Sequence, residues 1–215
     1  MINIPIVIIG AGGFGRRVLG MIRDMETTHG LDLLGFIDDG EVSAELMERS
    51  GTRHLGGTEI FGDLPEGTRY IVGIGNGITR REISARADAA GLRAHTLIHP
   101  LTTVGVDVEI GEGSVICAGV QISSNLRIGR HVNLNPNCNV GHDVDIADFV
   151  TVYPLSSISG YVKLREASTI GATSVINPSV EVGEDAFVAS GAAVTGDVPA
   201  RALVAGVPAT VKKQR

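Results

Sequence analysis

The chain has 215 residues, a formal net charge of −6, 43% hydrophobic residues, 29 glycines, 4% aromatics and no tryptophan. That length predicts one or two domains with a real core, and the apolar content excludes a disordered chain. The acidic balance excludes a protein that coats nucleic acid, which needs Lys and Arg against phosphate, and two cysteines, Cys117 and Cys138, supply neither a disulfide framework nor a metal cluster.

Both cysteines read as small buried apolar residues in a reducing compartment. The apolar stretch from Ile2 to Phe14 is too short to span a bilayer, carries no basic flank and is broken by glycines, so a soluble cytoplasmic protein is expected.

The first 95 residues alternate strand-like and helix-like segments. Ile4 to Ile9 is a β-branched run, followed by Gly10-Ala11-Gly12-Gly13-Phe14-Gly15 and a helix from Arg16 to about Glu26. A second strand, Leu31 to Ile37, ends in Asp38-Asp39-Gly40. A weak helix over 41–50, a connector, a third strand at Tyr70 to Ile74, Gly75-Asn76-Gly77 and a helix from Arg80 to Ala90 follow. This βαβαβ order predicts a Rossmann-like α/β domain over 1–95, with its ligand at the carboxyl ends of the strands. Gly10, Gly12 and Gly15 fit G-x-G-x-x-G after a strand and before a helix, with an acidic residue, Asp38, further on. Helix N-terminal amides hold a diphosphate there, and glycine lets it come close. Three strands are half of a dinucleotide-binding sheet, which suits the diphosphate of a mononucleotide better than NAD.

From residue 98 the period changes. An aliphatic residue recurs every six positions from Ile98 to Val194, seventeen times without an insertion. A hexapeptide period predicts a solenoid of parallel strands, three hexads to a triangular coil of eighteen residues and about five coils in all. Gly or Asn often follows the aliphatic, as at Gly111, Gly141 and Asn135, and is expected to turn the corner. The second domain, 96–215, is therefore an all-β parallel β-helix, and aliphatics with corner glycines account for the odd composition.

Taken together, Gly10 to Gly15, Gly35-Phe36-Ile37-Asp38-Asp39, Gly73 to Gly77, Ile98-His99-Pro100, Asn139-Val140-Gly141-His142-Asp143 and Ala205-Gly206-Val207-Pro208-Ala209 make the chain similar to one family over its whole length. It resembles hexapeptide-repeat sugar acyltransferases with a nucleotide-sugar-binding N-terminal domain. These include the N-acetyltransferases of UDP-4-amino sugars and GDP-perosamine and the sialic acid O-acetyltransferase-like proteins. The resemblance implies a left-handed β-helix, acetyl-CoA as co-substrate, no metal, and a homotrimer with its sites between neighbouring solenoids. It implies nucleotide-sugar contacts at Gly10, Gly12, Gly13, Phe14, Gly15, Asp38, Asp39, Asn76 and Arg80, residues whose plainer roles are helix caps and solvated charges. Backbone contacts to CoA follow at Gly160, Gly171, Gly191 and Gly206, and Lys163, Arg165, Arg201, Lys212, Lys213 and Arg215 are the cations available for its phosphates, some of which are expected to meet them; a solvated, frayed C-terminus is an equally good reading of the last three.

Among six histidines, His142 stands apart, because it sits at a mid-solenoid corner beside the carboxylate Asp143. An imidazole with a neighbouring carboxylate suits a general base held in one tautomer. His29, His54 and His95 read as loop or surface residues, His99 as structural, and His131 as a hexad position able to point outward. The resemblance places the catalytic His and acid at His142 and Asp143, and implies direct transfer, with the Gly160 N–H at the oxyanion. Cys138 reads as core. Three positions depart from the family: Phe14 and Thr151 stand where many members have His, and Leu164-Arg165-Glu166-Ala167 replaces a common corner. The acceptor is thus an amine or, alternatively, a hydroxyl, and an idle trimeric nucleotide-sugar-binding protein is a third reading.

Overall fold

A computed structural model of the chain describes residues 4–214, and the side chains of all of these except 26–29. It divides into two compact units, Met1–Gly75 with Thr79–Thr96, and Asn76–Ile78 with Leu97–Arg215.

The first unit contains β1 (Ile4–Ile9), α1 (Gly13–His29), β2 (Leu31–Ile37), α2 (Ala44–Arg49), β3 (His54–Gly56), β4 (Arg69–Val72), α3 (Gly77–Ala89, its first two residues grouped with the second unit) and β5 (Arg93–Ala94). All pair in parallel, in the order β3-β2-β1-β4-β5. The direction of winding reverses between β1 and β4, so the loops after these two strands flank the crevice where such sheets bind ligands. Tyr70, Val72, Val7, Ile9 and Ile37 form a buried cluster on one face, with Phe61 and Ala87. The edge strands β3 and β5 fall outside the sequence expectation of three strands: at three and two residues they are too short to show a period. Helix α1 starts at Gly13, ahead of the expected Arg16, because the end of the glycine loop is already helical; it stops at Gly30, whose φ of 59° is left-handed.

The second unit is a solenoid of three parallel sheets. The first runs from Leu97–Ile98 to Phe187–Val188, the second from Thr103–Val104 to Ala193–Val194, and the third from Val108–Ile110 to Glu181–Val182. Each strand pairs with the one a coil later, as Gln121 with Asn139 and Asn139 with Ser157. The eighteen-residue coil is thus observed, and the architecture is that of the left-handed parallel β-helix expected. Sixth-residue aliphatics from Ile116 to Val194 are all buried, whereas Val104, in the first coil, is 46% exposed. Buried serines between them are satisfied by backbone: Ser114 and Ser156 each donate to a carbonyl at 2.8 Å, Gly129 O and Gly171 O. The chain closes with a hairpin, Ala202–Gly206 against Ala209–Gln214, on the first sheet.

The corners differ from expectation in one respect. The left-handed residue lies two places after the expected glycine, at Asn125, His131, Asp143, Leu155, Tyr161 and their equivalents, with φ of 53–62° in these five. The glycine after the aliphatic answers a different need, close approach between coils: a Cβ on Gly141 would lie 2.7 Å from Gly160 N, and one on Gly111 2.5 Å from Gly129 O. Among the described residues no helix is long and apolar enough to cross a membrane.

Candidate active site

In the first unit, glycines 10 to 15 divide by physical role. Gly10 has φ of 103°, and a Cβ on Gly15 would stand 1.8 Å from Gly10 O, so these two are demanded by the fold. Around Gly12 and Gly13 nothing lies within 4 Å of where a Cβ would be, and both are exposed at the N-terminus of α1. That open helix end can take an anion. Phe14 is half-buried beside it. Arg16, which carries no motif signal beyond its helix, donates from Nη1 to Ala11 O at 3.0 Å and brings a cation to the loop.

Asp38 braces this loop, accepting from Ala11 N at 2.7 Å and from Gly40 N at 2.9 Å. Asp39 turns the other way. It accepts from Thr58 N at 2.6 Å, from Thr58 Oγ1 at 2.8 Å and from Arg86 Nη1 at 3.3 Å. The Thr58 amide and hydroxyl, ahead of Arg86, hold its carboxyl below the usual carboxylate range. Asp38, Asp39, His54, Thr58, Glu59 and Arg86 line an open depression of about 620 Å³. No sequence signal marked His54, Thr58 or Arg86 here, since each comes from a separate element. Asn76 is exposed. Arg80, expected to touch substrate, is fully buried and donates to Ile74 O at 2.8 Å and Gly75 O at 3.1 Å. It shapes the loop after β4 from beneath, because a buried guanidinium must find acceptors.

In the second unit, His142 and Asp143 occupy the corner between the second and third sheets. His142 Nδ1 lies 2.7 Å from Asp143 Oδ2, and the other carboxylate oxygen accepts from Asn125 Nδ2. Hydrogen bonds from His142 and then Asn125 hold the Asp143 carboxyl below the usual range, so it is an acceptor at neutral pH. Nδ1 must then carry the proton, which leaves the Nε2 lone pair free to accept one. The imidazole is 57% exposed. It meets the Tyr161 ring edge-on, with centroids 5.1 Å apart, and lies across Gly160, where a Cβ would stand 2.8 Å from Nε2. Tyr161 donates its N–H to His142 O at 3.0 Å, while no ladder hydrogen bond among the described residues takes the Gly160 N–H.

The other expected CoA contacts lie elsewhere. Gly171 and Gly191 follow strands of the first sheet, in the corner toward the second, and Gly206 ends the first strand of the closing hairpin on that same sheet, so one chain does not bring them to His142. Arg165 is engaged by Glu181 at 2.7 Å. Lys212 and Lys213 stand on an ordered strand of the closing hairpin instead of a frayed end, Arg201 is exposed in a left-handed turn, and Arg215 lies outside the described residues. Lys163 is exposed on the third sheet.

His131 and His99 have structural roles. His131 is buried, stacked on Phe149 with centroids 5.4 Å apart, instead of pointing outward. His99 Nδ1 accepts from Leu101 N at 3.1 Å, and the His29 side chain lies outside those described. Cys138 is buried, with its thiol pushed up to about 11 by burial, and its Sγ is 3.1 Å from Tyr153 O; it is core. No group of three potential metal ligands occurs among the described residues.

Residues 5–87 match the family model of the PglD N-terminal domain. The chain is 33% identical to the GDP-perosamine N-acetyltransferase of Escherichia coli O157:H7, with 96% of each covered. Among solved structures it is similar to PerB from Caulobacter crescentus in complex with CoA and GDP-perosamine, at 29% identity and a TM-score of 0.88 over 97% of both chains. It is also similar to the acetyltransferase domain of PglB from Neisseria gonorrhoeae in complex with acetyl coenzyme A, at 30% identity and a TM-score of 0.85 over 97% of this chain and 99% of that one. With this fold, this corner and these relatives together, the chain belongs to the hexapeptide-repeat family of nucleotide-amino-sugar N-acetyltransferases and is an acyltransferase.

Proposed function

We propose that this protein transfers the acetyl group of acetyl-CoA to the amino group of a nucleotide-linked 4-amino sugar in the cytoplasm, with His142 as general base. The observation that carries the reading is the His142–Asp143 pair, with Nδ1 2.7 Å from a carboxylate oxygen and the ring half exposed. The sugar amine attacks the thioester carbonyl carbon while Nε2 of His142 takes a proton from the nitrogen. The tetrahedral oxyanion is met by the Gly160 N–H. When it collapses the carbon–sulfur bond breaks, the electron pair leaves on sulfur, and the imidazolium returns its proton to give free CoA thiol. No acyl-enzyme forms, and Cys138 takes no part.

The diphosphate of the acceptor lies on the open helix end at Gly12 and Gly13, with Gly10, Gly15 and Asp38 shaping that loop. Phe14 is half-buried at that helix end, and the depression lined by Asp39 takes the nucleoside. A homotrimer completes the site, because the CoA-binding glycines at 171, 191 and 206 and the His142–Gly160 corner occupy different edges of one prism. A neighbouring solenoid joins them.

The test is release of CoA thiol with a panel of GDP-, UDP- and dTDP-linked 4-amino sugars, for wild type and His142→Ala. Turnover in the wild type and a loss of about 10²- to 10⁴-fold in the variant are expected. Equal turnover in the two removes His142 from this role. A product that loses its acetyl group in mild alkali would be an ester and would move the acceptor from amine to hydroxyl.

A further inference from the structure

The corner that carries Asp143 recurs once per coil, and one coil earlier it carries Asn125. Both residues are left-handed, with φ of 57° and 62°, and Asp143 N donates to Ser124 O at 3.2 Å, which fixes the two turns against each other. Asn is common in this conformation because its short polar side chain tolerates it, and that alone would explain its presence. It does not explain where the amide points. Asn125 Nδ2 donates to Asp143 Oδ1, and Asp143 Oδ2 receives His142 Nδ1 at 2.7 Å. A carboxylate can only accept, so it is the amide nitrogen that faces it.

We propose that Asn125 is a positioning residue for acyl transfer. By holding one oxygen of Asp143 it keeps the other in line with Nδ1 of His142, and so keeps the proton off Nε2. Tyr161 also reaches this carboxylate from the following coil, as the weakest of its three side-chain donors, behind His142 and Asn125. Without Asn125 the terminal bond of Asp143, which is broad and roughly two-fold, is held less firmly. The alternation on this edge, Asp107, Asn125, Asp143, Tyr161, places a neutral donor between two carboxylates, where a third acid would repel both. The proposal rests on His142 being the base.

Two variants separate the amide from the backbone. Asn125→Gly keeps the left-handed turn and removes the side chain; Asn125→Asp keeps the turn and the shape but replaces the donor with a charge. Both are expected to lower kcat about tenfold or more while each KM stays within about twofold, the signature of an interaction that matters in the transition state. Imidazole ¹⁵N resonances of the intact protein, without substrate, should show His142 with its proton on Nδ1 in the wild type and a mixture of tautomers in both variants. If both variants keep wild-type kcat and the wild-type tautomer while His142→Ala is inactive, the proposal is overturned and the base assignment stands. If His142→Ala keeps full turnover, the base assignment falls, and the tautomer in the two variants still decides the clamp: a mixture supports it and the unchanged Nδ1–H form overturns it.

Discussion

Gly160 lies directly beneath the imidazole of His142: a Cβ there would stand 2.8 Å from both Cε1 and Nε2 and would touch no other atom so closely. The ring takes its place because the next coil leaves room for it. Gly160→Ala therefore pushes the ring off Gly160 without disturbing the ladder. We expect kcat to fall about 10²-fold, the cost of a displacement near 1 Å in a catalytic group, with a thermal midpoint close to wild type. Steady-state kinetics with a melting curve checks both. Unchanged kcat would show that the ring does not need this gap, and loss of the fold would show that the ladder needs the glycine for itself.

Asp143→Asn tests the pair itself. Asn tolerates the left-handed φ of 57° at this corner, so the solenoid should survive, but the acceptor that requires a proton on Nδ1 is gone. We expect kcat to fall about 10²-fold or more. The wild-type carboxyl is held below the usual range by His142 and Asn125, so it stays ionised at every pH above that range. Rate changes between about pH 5 and 9 should therefore survive in form, at lower amplitude, in the variant. A pH–rate profile on both proteins measures this, and a limb present only in the wild type would contradict it.

The solenoid was legible because its signal is a count: a sixth-residue aliphatic repeated from Ile98 to Val194 leaves few other folds. The pair His142–Asp143 was legible because its members are adjacent in sequence. Asn125 was not, since it reaches Asp143 across eighteen residues, and a corner Asn reads as a conformational choice. The burial of Arg80 is hidden from the sequence for a related reason. A cation after a glycine-rich loop suggests phosphate, and only the packing shows the side chain fully buried, with Nη1 donating to Ile74 O and Gly75 O. The glycines that follow several of the aliphatics serve close contact between coils and not the turn itself, and such contact is not visible along one strand of text.

Asp39 makes a prediction about acid stability. Its carboxyl lies below the ordinary value of 3.8, through Thr58 first and Arg86 after it. A folded-state value below the unfolded one stabilises the fold fully above the unfolded value, and that contribution is lost as pH falls through the folded one. With both side chains about half exposed, screening limits it to about 1 kcal/mol or less. Asp39→Asn should lower stability slightly at pH 7 and converge with wild type below pH 3.8, as read by denaturant unfolding at several pH values. A constant difference down to pH 2 would show that the stabilisation is not ionic.

The glycine loop offers the sharpest contrast between structure and binding. Gly15→Ala places a methyl 1.8 Å from Gly10 O, an overlap that no side-chain rotation relieves because the neighbour is backbone. We expect the first unit to lose about 3 kcal/mol or more, seen as a lower unfolding midpoint. Gly12→Ala meets nothing within 4 Å, and its φ of −69° suits any residue, so the fold should be untouched. If a diphosphate rests on this helix end, the new methyl stands in its path. The KM for the nucleotide sugar should then rise about tenfold or more, while that for acetyl-CoA and kcat at saturation hold, the pattern of lost uniform binding. Wild-type KM for both substrates in Gly12→Ala would move the diphosphate away from this loop and leave the space over Gly12 and Gly13 to solvent.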